Sequence, residues 1–148
     1  MHTEARIAQC KELIQRRLPR LLAVAWTVWT VVTAAAYIDR VPPQLAIVDA
    51  ATAAPIWTIW ATAAVVLILG VIVPSRAPES AQDVARWLRI SGMMIICATL
   101  IIWTIVFALE QPRGWVTAKN YALIALFAAY TSWTIARDEA SRRRVVRT

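Results

Sequence analysis

Few residues in this chain of 148 are of types that do chemistry, and their spacing assembles no catalytic group. The two thiols are Cys10, in a charged leader, and Cys97, in the middle of an apolar run, so they are not expected to meet as a disulfide. As metal ligands they lack partners, because the lone histidine is His2. Asp39 and Asp49 read as ordinary acidic loop residues. There is no GxSxG, HExxH or P-loop, and no pair of carboxylates inside an apolar run. No catalytic, cofactor-binding or metal-binding residue is therefore assigned, no cofactor is expected, and an enzyme is not expected either.

What the spacing does supply is a chemistry of contact between helices. Ala122, Ala125, Ala129, Ser132 and Ala136 recur three and four residues apart, and Ala23, Thr27, Thr30 and Ala34 do the same nearer the start. Lipid gives helices little hydrophobic reason to associate, so close backbone approach through small residues becomes a main source of attraction. Both stripes are expected to pack helices together, within one chain or between subunits. Packing within the chain is a simpler reading than a polar lining for a pore. Five of the eight tryptophans precede a threonine (Trp26, Trp29, Trp57, Trp103 and Trp133), and the pairs Trp26/Trp29 and Trp57/Trp60 share a W-T-x-W spacing. Trp57, Trp87, Trp115 and Trp133 suit an aromatic belt at the interfaces. Trp26 and Trp103 lie about 9 Å deeper by helix rise, where each indole N–H wants an acceptor on a neighbouring helix.

The elements that would position these residues follow from the distribution of charge. Ile90–Leu109 is twenty residues without a charge, and as a helix it spans roughly 30 Å, the thickness of a bilayer core. Its ten Ile, Leu, Val and Phe residues favour insertion by roughly 3 to 6 kcal/mol. Spans are expected at 21–38, 56–73, 90–109 and 121–136, and none of them holds Asp, Glu, Lys, Arg or His. The last is the shortest, roughly 24 Å, although Lys119 can lay its stem along the helix and keep its ammonium at the headgroups. A cleaved signal peptide is a weaker reading of 21–38, since its apolar core is too long and further spans follow.

Residues 1–20 place Ile7, Cys10, Ile14 and Leu18 on one helical face among basic residues, with Pro19 expected to break the run before the membrane. Such a helix lies on an anionic lipid surface, or else is a solvated leader that fixes orientation. Leu45–Val48 is too short to cross and suits the interface. Ser80-x-x-Asp83 matches a capping box for the third long helix, and Glu110–Gly114 suits a tight turn. The expected fold is an all-α integral membrane protein: a four-transmembrane-helix bundle over 21–136, with a basic amphipathic N-terminal helix and an Arg-rich tail over 137–148.

With four spans, thirteen of the sixteen Lys and Arg residues share one side, and that side carries the whole net charge of +7. Loops rich in Lys and Arg stay cytoplasmic, so both termini are expected inside the cytoplasmic membrane. Arg16, Arg17, Arg20, Arg86, Arg89, Lys119, Arg137, Arg142, Arg143 and Arg144 are the expected headgroup anchors. The partner this implies is a bilayer with an anionic inner leaflet, and no nucleic acid.

The high Ala, Arg, Val and Trp content, the segment Arg113–Tyr121 (RGWVTAKNY) and the basic ends make the chain similar to small four-span membrane proteins of actinobacterial phages, some of which are called holins. The resemblance is one of whole-chain architecture and carries over no site residues. It implies a homo-oligomer that permeabilises the cytoplasmic membrane during host cell lysis. The alternative expectation is a non-enzymatic accessory or scaffold subunit of a larger membrane complex. A small-molecule transporter is less favoured, because ion coupling generally needs ionisable groups at depth. Small multidrug exporters also have four spans, but they carry a carboxylate in the first, which 21–38 lacks.

Overall fold

A computed structural model describes the backbone of residues 2–52, 54–74, 76–109 and 114–146, and the side chains of 18–46, 48–52, 54–74, 76–109 and 114–137. Among them there is no strand. The order is α1 (His2–Asp39), a 3-10 turn (Pro43–Leu45), α2 (Ala46–Ala51), α3 (Ile56–Ile72), α4 (Glu79–Leu109) and α5 (Gly114–Val146).

Two helical stretches are long and apolar enough to cross a membrane, Leu18–Asp39 in α1 and Glu79–Leu109. A third is reached if Pro43–Ala51 and Ile56–Ile72, which meet at a bend of 78°, form one broken span. The helices not counted in their own right are α3 and α5. With 17 residues, α3 is roughly 26 Å long, just under a bilayer core. In α5 the uncharged stretch runs into Arg137 after Ala136.

Several local expectations are corrected. α1 runs unbroken through Pro19, so the basic leader and the first apolar run form one helix without a boundary at residue 20. A proline forfeits one backbone bond, and its cost is offset here by the helix on either side, whose later turns are seated against α3. Ser80 is not a cap, because α4 already starts at Glu79. That end is closed instead by the Gln82 amide donating to the Pro78 carbonyl and by the Gln82 side chain donating to the Ala77 carbonyl at 2.7 Å. The expected turn at Glu110–Arg113 lies outside the described residues.

The long helices pack in the order α1–α3–α4–α5, with a lesser contact closing α5 onto α1. Successive helices are antiparallel. Arg20, midway along α1, reaches the end of α3, and Leu67 of α3 meets Gly92 of α4 while Trp60 meets Trp103. Cys97 of α4 likewise reaches Ala125 of α5, and Phe107 reaches Tyr121. Contact between α3 and α4 is close because two glycines sit in it. A Cβ on Gly70 would stand 2.8 Å from the Ala85 carbonyl oxygen, and one on Gly92 would stand 2.7 Å from Leu67 Cγ.

The shortest long helix is held at both ends by groups from elsewhere. The Ile56 amide donates to Asp49 Oδ1 at 2.9 Å, placing a carboxylate at the positive end of α3. At the other end Arg20 Nη2 donates to the Val71 and Val73 carbonyls at 3.1 and 3.4 Å. Asp49 is therefore a cap and not a plain loop acid. Leu45, expected at the interface, is instead fully buried in the core, and its 3-10 turn touches α4.

Candidate functional site: an aromatic seam between the helices

Aromatic side chains from four helices form one connected seam. It runs from Phe127 on α5 to Trp26 and Trp29 on α1, then to Trp60 on α3, Trp103 on α4, and back to Tyr121 on α5. Centroid separations along it are 5.8, 5.2, 5.1, 5.1 and 5.3 Å, and all contacts after the first are edge-to-face. That geometry sets the positive rim of one ring against the negative face of the next, adding roughly 0.5–1.5 kcal/mol per pair to area burial. Tyr37 joins at Trp103 and Phe107 at Tyr121, with centroids at 5.2 and 5.4 Å. The two W-T-x-W segments meet in this seam through Trp29 and Trp60, while Trp57 faces outward.

Polar handles along the seam are treated differently. Trp26, expected to seek an acceptor across a helix interface, donates its indole N–H to Thr131 Oγ1 at 3.2 Å. The Thr131 hydroxyl in turn donates to the Phe127 carbonyl at 2.9 Å. Trp60 is fully buried, and its Nε1 has no hydrogen-bond partner. Trp103 is buried as expected and makes ring contacts with three helices.

The threonines are turned inward on their own helices. Thr27, Thr30 and Thr33 donate to carbonyls three or four residues back in α1, and Thr99 and Thr104 do so in α4. Such back-bonding satisfies a hydroxyl without a partner helix or water. It leaves these stripes weakly polar and poorly suited to lining an aqueous path.

The small-residue stripes divide. Ala23, Thr30 and Ala34 are buried and Thr27 is half-buried, so the α1 stripe faces the other helices. On α5, Ala125 and Ser132 are buried, and Ala122 and Ala136 are half-buried. Ala129 is exposed, and its place in the packed face is taken by Ala128 and Thr131. The 3,4 spacing drifts around the helix, and the buried line of α5 is Ala118, Ala125, Ala128, Thr131, Ser132 and Ile135.

The expected headgroup anchors divide as well. Arg20 is committed to the α3 carbonyls, a capping role the sequence reading missed. Arg89 donates through Nε to the Ala85 carbonyl at 3.3 Å, and its stem crosses Gly70. Arg86 lies over Trp87 at 5.7 Å and Arg137 over Trp133 at 5.0 Å, pairings that suit an interface. Lys119 is exposed. Arg16, Arg17, Arg142, Arg143 and Arg144 lie outside the described side chains.

Other functional positions were missed for a lack of local signal. Gly70 and Gly92 each follow a buried alanine by seven residues, Ala63 and Ala85, and that spacing is the one clue to their shared interface. Among the described residues, no group of three or more His, Cys, Asp or Glu could hold a metal ion. The Cys97 thiol lies 3.6 Å from the Ala125 carbonyl and is not in a disulfide. Comparison with protein-family models, with curated proteins and with solved structures returned no match.

Proposed function

We propose that this chain is a four-span, non-enzymatic protein of the cytoplasmic membrane that acts in a holin-like way, accumulating, self-associating and permeabilising the bilayer. The antiparallel order of α1, α3, α4 and α5 supports the four-span part of the reading, because it would bring both basic ends to one side. An arginine-rich side is retained in the cytoplasm, so the N- and C-termini are both placed there. Four spans require α3, and the short uncharged stretch within α5, to cross. α3 is capped at both ends, and Lys119 and Arg137, which flank the uncharged stretch of α5, can extend their stems to the headgroups.

A second reading, an accessory subunit of a larger membrane complex, is favoured by one observation. Most of the small-residue surface is consumed inside the chain, leaving an outer face of large side chains such as Leu123, Leu126, Phe127 and Trp133. Permeabilisation would then need the helices to separate, whereas an accessory role needs only the outer face.

Controlled expression in a bacterial host, followed by membrane potential and dye entry, tests the proposal. Holin-like action gives an abrupt loss of potential once a threshold density is reached. Harmless accumulation at high density, with a stoichiometric partner on purification, rules it out and supports the accessory reading.

A further inference from the structure

We propose that the outer face of α1 is a docking line for α1 of a second copy of this chain, the two helices lying parallel and in register. α1 packs into its own bundle through Ala23, Trp26, Thr30 and Ala34, which are buried. On the opposite side of the helix Leu18, Leu21, Ala25, Val28, Val32 and Ala35 are exposed, recurring alternately three and four residues apart. Continued toward the N-terminus, the same line reaches Ile14, Lys11 and Ile7, all within one unbroken helix. An alternation of three and four held from residue 7 to residue 35 is the repeat of a coiled-coil contact. Val24 and Val31 are exposed beside it, so apolar character alone does not single out this line inside lipid. Its continuation beyond lipid does.

Length decides what covers it. α1 has 38 residues, roughly 57 Å of helix, and Leu18–Asp39 is the stretch apolar enough to cross. A bilayer core is about 30 Å thick, so residues 2–17 continue past it. There Ile7 and Ile14 stand among Arg6, Lys11, Glu12 and Arg16. A water-soluble partner would cover only this projecting half, whereas a second copy covers both halves at once. Two copies in one bilayer share orientation and depth, so equal positions of their α1 helices meet at equal heights and the contact is self-complementary. Ala25 and Ala35 let the two backbones approach closely inside the lipid. Lys11 is the one charged residue on the line from 7 to 35, and a lone lysine in such a contact fixes register at a cost in stability. The inference deepens the self-association in the function proposed above and does not require permeabilisation.

The experiment uses the full-length protein in bacterial membrane vesicles, with its own thiols removed by C10S and C97S. Single cysteines are introduced one at a time and oxidised with copper phenanthroline. Crosslinked pairs are expected from I7C, I14C, L21C and V28C, with yields roughly fivefold or more above those from Q9C and R16C on the opposite face of the same helix. Equal yields at 7, 9, 14 and 16 overturn the proposal, since random collision favours no face. Low yields at 7 and 14, with both cysteines shielded from a water-soluble maleimide, overturn it too and make the bilayer surface the cover. Crosslinking from I102C, on the exposed side of α4, without any from α1 overturns the α1 contact and leaves self-association standing. No crosslink at any position overturns both.

Discussion

Trp26 and Thr131, 105 residues apart, are joined by an indole-to-hydroxyl hydrogen bond that ties the first long helix to the last. The bond closes the packing order at its weakest contact, since α1 and α5 otherwise touch less than any other neighbouring pair of long helices. The aromatic seam crosses the same gap, because Phe127 lies tilted against the same Trp26 ring.

Removing the acceptor alone tests this closure. T131V keeps the side-chain shape but leaves the Trp26 N–H buried without a partner, a change that costs roughly 1–3 kcal/mol in water. Interhelical hydrogen bonds in bilayers average nearer 0.6 kcal/mol, so the expected loss is about 1 kcal/mol. T131S should recover most of it. Denaturation in mixed micelles measures all three proteins, and a W26F/T131V cycle isolates the pair.

The two helix-contact glycines should respond unequally to alanine. At Gly70 the added Cβ meets the backbone oxygen of Ala85, which cannot move without shifting α4. At Gly92 it meets Cγ and Cδ2 of the fully buried Leu67 side chain, which must shift, at 2.7 and 2.8 Å, while the backbone oxygen of Ala63 stands at 3.4 Å. Alanine gains about 1 kcal/mol of helix propensity over glycine, while overpacking costs about 1–3 kcal/mol. G70A should therefore lower thermal stability, and G92A should lower it less. Equal losses at both sites would contradict the described interface.

Asp49 and Arg20 should act as separable clamps on α3. D49A removes the acceptor for the Ile56 amide, and about 1 kcal/mol of capping stabilisation goes with it. Hydrogen exchange should speed at Ile56 and its neighbours in that variant, with the far end of the helix unaffected. R20A should have the converse effect, loosening the last turn near Val71 and Val73.

Ala129 and Ala128 separate packing inside the chain from assembly between chains. Ala128 is fully buried, so A128L should disrupt the fold of a single copy by overpacking. Ala129 is exposed, so A129L should leave that fold intact. On the holin-like reading, A129L should nevertheless reduce crosslinked oligomers and delay loss of membrane potential. Unchanged crosslinking and timing would remove α5's outer face from any assembly.

The surroundings of this chain were legible in its residues alone. Charge-free runs near twenty residues suit helices that satisfy their own backbone bonds in lipid, and helices cover nearly all the described residues. Ala23, Thr30, Ala34, Trp26 and Trp103, singled out by spacing or by distance from the ends of the apolar runs, are buried among the helices. Which side of α5 faces inward was not, because a helix that is apolar all round has no polar face to mark its outside. Ala129 and Ala128 look alike in the sequence, and only packing tells them apart. The same holds for groups whose partners are remote in the chain. Arg20 closes a helix end 51 residues away, and Trp26 finds its acceptor on the last helix. Composition sets the solvent a chain can live in, but directional bonds and close contacts need two surfaces to meet, and only the fold brings those surfaces together.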